Sequence, residues 1–410
     1  MTILKRMLCA LLAAGDASAP ALAETSYVRA GRLIDTESGK VLTDRLIRIE
    51  DGRIAAVTPY APPPEDAKLL DWSDFTVLPG LIDMHTHLSD WGQTSNVAEP
   101  LLHSSEDIAL VGAKNARDTL NAGFTSVRDV GTFRAFGDVS LRNAIEAGYI
   151  EGPRMAVAGA YITVPGGGGE VTGMAPDVQI PAIMRMGVAA GPEEAKAKAR
   201  MLFQRGADFL KVIATGAVLA AGTEPGAPEM TEAEIRAAVE EAARYKSYVT
   251  AHAHGAEGIK IALNAGVRSI EHASLIDDEA IVLAKKKGAW LVMDVYNGDF
   301  IDEMGKAEQW PEEIMRKNYE TTDAQRQGFR KAVAAGAKIA YGTDAGVFPH
   351  GLTARQFKYM VRHGMTPVQA IQSATTNAAA LMGKSAEVGV IAPGRHADMV
   401  AVAADPLADI

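Results

Sequence analysis

The sequence predicts an α/β protein: a (β/α)8 TIM barrel carrying a small β-sandwich domain built from both chain ends. Three observations predict it. Residues 26–77 contain short stretches of alternating apolar and polar side chains, the segment 394–402 has the same character, and between them apolar strand-like runs alternate with helical stretches. A period of two marks half-buried strands, and strand alternating with helix marks βα units on a parallel sheet. The division expected is a leader over 1–23, a sheet domain from 24–79 with 386–410, and a barrel over 80–385.

The first residues lie outside that fold. Lys5 and Arg6 form a positive start, Met7 to Ala14 is a short apolar run, and Ala21-Leu22-Ala23 supplies a small-x-small cleavage site, so 1–23 reads as a signal peptide and export to the periplasm or medium is expected. The one cysteine, Cys9, belongs to this leader, which excludes a disulfide scaffold. No later segment offers about 18 uninterrupted apolar residues, so no membrane span is predicted. With 41 basic against 51 acidic side chains and a net charge of −10, the chain lacks the clustered Lys and Arg that nucleic acid requires.

The sheet domain follows: Arg45-Leu46-Ile47-Arg48-Ile49, then Asp51-Gly52 as a hairpin turn, with Ala397 to Val402 as a strand from the far end. Ile410 comes soon after that strand, so a final strand of the small sheet is expected beyond this sequence. In the middle, eight strands are predicted at 81–88, 125–131, 154–162, 209–214, 248–254, 269–274, 290–296 and 339–346. Helical stretches at 191–205, 231–246 and 325–335 lie between them, the second opened by the capping-box pattern Thr231-Glu232-Ala233-Glu234. An open doubly wound sheet would carry a glycine fingerprint on its first βα turn, and none is present.

In such a barrel the active site lies at the carboxyl ends of the strands. The first strand ends in Asp83-Met84-His85-Thr86-His87, whose alternation points His85 and His87 the same way. Strand five carries His252 and His254, strand six His272, and strand eight Asp344. Histidine and aspartate are ligands for zinc-like divalent ions, and a carboxylate beside the metal acts as base toward water. Lys211 lies within the apolar fourth strand, where burial should lower its pKa. It either pairs with a carboxylate such as Asp344 or reacts as a neutral amine with carbon dioxide, giving a metal-bridging carbamate. Asp294, Tyr296 and His350 are candidate substrate contacts, with Tyr161 and Arg355 as weaker ones; His103, His363 and His396 read as surface or packing residues.

These residues resemble the amidohydrolase superfamily: the Leu78-Pro79-Gly80-Leu81-Ile82-Asp83-Met84-His85-Thr86-His87 segment, Lys211, His252, His272, Asp344 and the closing Ala392-Pro393-Gly394-Arg395-His396-Ala397-Asp398. The segments Lys211 to Gly216, Met293 to Asn297 and Gly342 to Gly351 are similar to the imidazolonepropionase-related branch, which includes Xaa-Pro dipeptidases, carboxypeptidases and ochratoxin-hydrolysing amidohydrolases. The resemblance implies two zinc ions, one on His85, His87 and Asp344 and one on His252 and His272, bridged by carbamylated Lys211 and a hydroxide. It implies that Asp344 relays the proton of the attacking hydroxide and that His254 steadies the oxyanion or the substrate carboxylate. It also implies a homo-oligomer and a small amide or dipeptide substrate with a free carboxylate, of ochratoxin A or Xaa-Pro type. A cyclic amide of the imidazolonepropionase type is the alternative, and a non-catalytic binding relative a further one. One departure weakens the substrate inference: Gly166 to Gly169 stand where many relatives carry Gly-Gly-His-Gly.

Overall fold

The computed structural model describes residues 25–92 and 96–410; the predicted leader lies outside them. The first four strands are β1 (Thr25–Asp35), β2 (Lys40–Glu50), β3 (Arg53–Pro59) and β4 (Lys68–Pro79). Then come β5 (Leu81–Thr86), β6 (Phe124–Asp129), β7 (Arg154–Val157), β8 (Tyr161–Ile162), β9 (Leu210–Ile213), β10 (Val249–Gly255), β11 (Ser269–Leu275), β12 (Trp290–Val292) and β13 (Lys338–Ile339), with β14 (Met399–Val402) last.

The two chain ends share a five-stranded sheet of order β14-β4-β1-β2-β3. The predicted hairpin joins β2 to β3 at Asp51 and Gly52, both with positive φ, the geometry whose twist suits a two-residue turn. Among the described residues the pairing is that of one five-stranded sheet. Its strand pairing shifts register between Ala30 and Arg32, and Val28, Ala30, Ile47, Ile54 and Val77 enclose their own core with Ile391 and Met399.

The remaining strands form two parallel sheets, β5-β6-β7 and β13-β12-β11-β10-β9-β8. The third predicted strand is split into β7 and β8 at Gly159, whose N–H is held by the buried Asp138 carboxylate at 2.7 Å. The last two are shorter than predicted, because after Val292 and Ile339 the chain leaves the ladder to build the site. Residues 84–87 exchange backbone hydrogen bonds with 341–345, including Met84 N–H to Tyr341 O at 2.9 Å and Asp344 N–H to His85 O at 2.8 Å. Leu210 and Val212 of β9 pack outward with Ala199, Leu202, Ile235 and Ala238 on the helices Pro192–Gln204 and Glu232–Arg244, so Lys211 between them faces inward. Thr231 caps the second of these helices, its hydroxyl accepting from the Glu234 N–H while the Glu234 side chain returns to the Thr231 N–H. Among the described residues no helix is long and apolar enough to cross a membrane.

Candidate metal and active site

Strand ends gather His87, Lys211, His252, His272 and Asp344 around one cavity, with His85 against Asp344. Each histidine is aimed by what its second nitrogen holds. The Nδ1 of His85 lies 3.0 Å from Glu271 Oε2 and that of His87 2.8 Å from the Gly131 carbonyl. Both nitrogens therefore donate, leaving both Nε2 lone pairs for the site; these converge on one oxygen, Asp344 Oδ1, at 3.3 and 3.2 Å. Asp344 Oδ2 accepts from the side-chain amide of Asn297 at 3.0 Å. The Asn297 amide group also meets Asp294 Oδ2, and two carboxylates on one side fix which end carries the hydrogens.

On the far side, one ligand atom from each of His252, His254 and His272 falls within 4.8 Å of the others, as do those of His272, Asp294 and Asp344. The Nδ1 of His272 donates to Asp294 at 3.1 Å, and Gln325 donates to the same oxygen at 2.8 Å. His254 Nδ1 meets Ser274 Oγ at 2.8 Å, and His252 Nε2 donates to the Gly216 carbonyl at 3.2 Å. His272 and Asp344 both take positive φ, 68° and 59°, which breaks strand alternation where the side chains must turn into the cavity. Gly346, at φ 120°, passes beside His87, where a Cβ would come within 2.8 Å of His87 Cβ.

Electrostatics agree with a cation-binding donor set. Burial opposes charge on both partners, yet the hydrogen bond to Asp344 raises His87 to about 9, while His85 and His87 hold the Asp344 carboxyl well below the usual range. A proton thus occupies the point where three donor atoms meet, the position a metal ion would take. Burial and the neighbouring His272 push His254 down to about 3, so it is neutral at pH 7. Lys211 is 2% exposed, and burial lowers its amine to about 8 against the attraction of Glu271 and Asp344. No hydrogen bond or ion pair joins that amine to any described residue. An unpartnered, partly neutral amine beside two histidine clusters fits the carbamate chemistry.

Three predicted substrate contacts lie elsewhere or are already engaged. Tyr296 does not line the cavity: its ring packs with Phe348 and Tyr359, and its hydroxyl accepts from Arg355 at 3.1 Å. His350 lines a neighbouring cavity behind Trp91 and Gly346, because its short 3-10 turn carries it past the site. Asp294 lines the main cavity, but its oxygens are committed to His272, Gln325 and Asn297. Tyr161, the weaker candidate, does line it and lies 3.1 Å from His87 Nδ1. Sequence reasoning missed Arg128 and Glu271, both wholly buried and joined at 2.7 Å. Their signal was available: an arginine and a glutamate inside apolar strands, one of them next to His272.

The amidohydrolase family model matches residues 76–410. The ochratoxinase of Aspergillus niger is 31% identical, over 95% of this chain and 83% of that protein. Among solved structures, a Xaa-Pro dipeptidase with bound methionine in the active site superposes with a TM-score of 0.87 at 36% identity, covering 94% of this chain and 95% of that one. A prolidase complexed with N-methylphosphonate-L-proline gives 0.87 at 30% identity, with 94% of each chain covered. A family match over most of the chain, together with this agreement in fold, makes the chain a member of the amidohydrolase family.

Proposed function

We propose that the protein is a metal-dependent hydrolase of the C–N amide bond in N-acyl amino acids or dipeptides that carry a free C-terminal carboxylate. The observation that carries this reading is the meeting of His85 and His87 on Asp344 Oδ1, in one cavity with unpaired Lys211 and the three histidines of β10 and β11. The donor set suits two zinc ions: His85, His87 and Asp344 for one, His252 and His272 for the other, with Lys211 between them. Bound there, such ions lower the pKa of water and polarise a carbonyl.

The chain's own residues do the rest. The neutral amine of Lys211 adds to the carbon of carbon dioxide and releases one proton, becoming a carbamate with two oxygens. Ionised Asp344 takes the proton of the attacking water and returns it to the leaving nitrogen. Asn297 keeps the second Asp344 oxygen fixed while this happens. Neutral His254, with Ser274 on its Nδ1, donates from Nε2 to the oxygen of the cleaved carbonyl. Similarity to an ochratoxinase and to Xaa-Pro dipeptidases supports N-acyl phenylalanine and Xaa-Pro dipeptides as the first substrates to test.

The same reading takes the two parallel sheets as one closed (β/α)8 barrel over 80–385, supported by the backbone bonds between 84–87 and 341–345. It takes 24–79 with 386–410 as a second domain, the leader as an export signal removed before Glu24, and the active form as a homo-oligomer. The test is metal analysis of the purified protein together with a panel of N-acyl amino acids and dipeptides assayed for released amino acid. Close to two metals per chain and release from at least one panel member are expected. Full activity after exhaustive chelation, or ring opening of a cyclic amide with no release from the panel, would overturn it.

A further inference from the structure

The cavity over the histidines is lined by five carboxylates, and each already has a partner. Asp90 accepts from Thr132 at 2.7 Å, and Glu99 meets His103 at 2.9 Å. Glu170 holds Arg185 and the Gly166 N–H, while Asp294 and Asp344 are tied to the histidines as described. The lining cations are Lys211, which the proposed chemistry uses, and Arg134. Arg134 stands in the loop after β6, half-buried, and its Nε is buried with no hydrogen-bond partner. No hydrogen bond or ion pair joins its guanidinium to any described residue. Asp107 feels its charge, but that carboxylate is committed to the Ser104 N–H of a capping box at 2.9 Å.

A guanidinium partly withdrawn from water and left without an acceptor is costly, and the cost is recovered when an anion arrives from outside. Its planar fork of donors matches a carboxylate with two parallel hydrogen bonds. The surroundings give the ligand a direction. Phe133, next to Arg134, is in edge contact with Tyr161 at 5.5 Å, and Tyr161 with His87 at 5.9 Å. The same cavity has an apolar wall, formed by Leu219, Ile301, Trp310, Ile314 and Val347. A molecule with an anion at one end and an apolar group at the other finds a partner for each in the cavity that holds the histidines.

We infer that Arg134 anchors the free carboxylate of the substrate, with the acyl group against the Trp310 wall. The inference rests on the amide-hydrolase reading above and adds the residue that sets its carboxylate requirement; neutral His254 is left to the scissile carbonyl. The test compares N-acyl-phenylalanine with N-acyl-phenethylamine, which has the same scissile bond and no carboxylate, on the wild type, Arg134→Met and Arg134→Lys. In the wild type kcat/KM should favour the carboxylate substrate by about 10- to 100-fold, the range of a hydrogen bond to a charged group. In Arg134→Met that ratio should fall to near one, mainly through KM, and Arg134→Lys should recover part of it. A ratio in Arg134→Met equal to the wild type's would overturn the inference while leaving the hydrolase reading intact. Should the wild type cleave neither compound, the hydrolase reading fails, and calorimetric binding of L-phenylalanine against phenethylamine decides the anchor alone: equal affinity of wild type and Arg134→Met for L-phenylalanine refutes it.

Discussion

Glu271 and Arg128 are each 0% exposed, and Arg128 spends its other donors on the Met84 carbonyl at 2.7 Å and Ser269 Oγ at 3.0 Å. Burial works against the charge of Glu271, but Arg128 and His85 hold its carboxyl below the ordinary range, so it stays an acceptor for the His85 N–H. Glu271→Gln leaves Arg128 without its counter-charge. Breaking such a pair costs about 3–5 kcal/mol, and replacing the carboxylate that orients His85 by a neutral amide should weaken the proposed metal binding, about 10- to 100-fold where such an outer partner is lost. Denaturant unfolding and metal titration of the variant should show both effects. Lys211→Ala should lose most activity, and added acetate or propionate should restore part of it by supplying the carboxylate oxygens. Wild-type turnover in that variant would remove the carbamate from the mechanism. The clustering of His85, His87, His252 and His272 was legible because each stands at the end of an apolar strand. Asn297 and Gln325 were not, since an amide in a helical stretch gives no sign of which carboxylate it will meet.

At the scale of elements, the strand-and-helix alternation was readable wherever a strand keeps its ladder, as in β9 and β10. It failed at β7 and β8, where the buried Asp138 interrupts pairing by taking the Gly159 N–H. Helix packing carries a pH dependence of its own. Arg330, on the helix Glu312–Ala334, donates at 2.7 Å to His363 Nδ1 at the end of the helix Gln356–Arg362. Burial first, then Arg330, Arg326 and Arg362, against Asp299, push His363 down to about 4. Unfolded, histidine titrates near about 6.5, so the unfolded chain takes up a proton that the folded chain refuses. Stability from this contact is complete above about 6.5 and is lost as pH falls toward 4. Thermal melts between those values should slope less for His363→Gln than for the wild type; parallel curves would assign the slope to other groups.

For the whole molecule, the site is a convergence of β5, β9, β10, β11 and the turn after β13, so a bound metal ties distant parts of the chain together. Chelation should lower Tm as well as activity, because a ligand held only by the folded state stabilises it by about 2.7 kcal/mol at 100 times its Kd. Restoring zinc should recover both; a Tm indifferent to chelator would place the cation outside the folded core. The joining of both chain ends in one sheet was also legible, from the matching alternation at 26–77 and 394–402.

That sheet has a consequence for the order in which the protein is made. β1, β2, β3 and β4 leave the ribosome well before β14 and can pair at once, yet Thr76 to Pro79 of β4 find their antiparallel partner only in Val402 to Met399 of β14. Arg154 and Asp398 likewise meet at 2.9 Å across a separation of 244 residues. Throughout synthesis of the segment between them, this stretch of β4 stands as an open strand edge, the kind that recruits strands from other molecules. Residues 399–402 therefore close an edge that residues 76–79 opened much earlier, and a nascent chain stalled before Met399 carries that edge exposed.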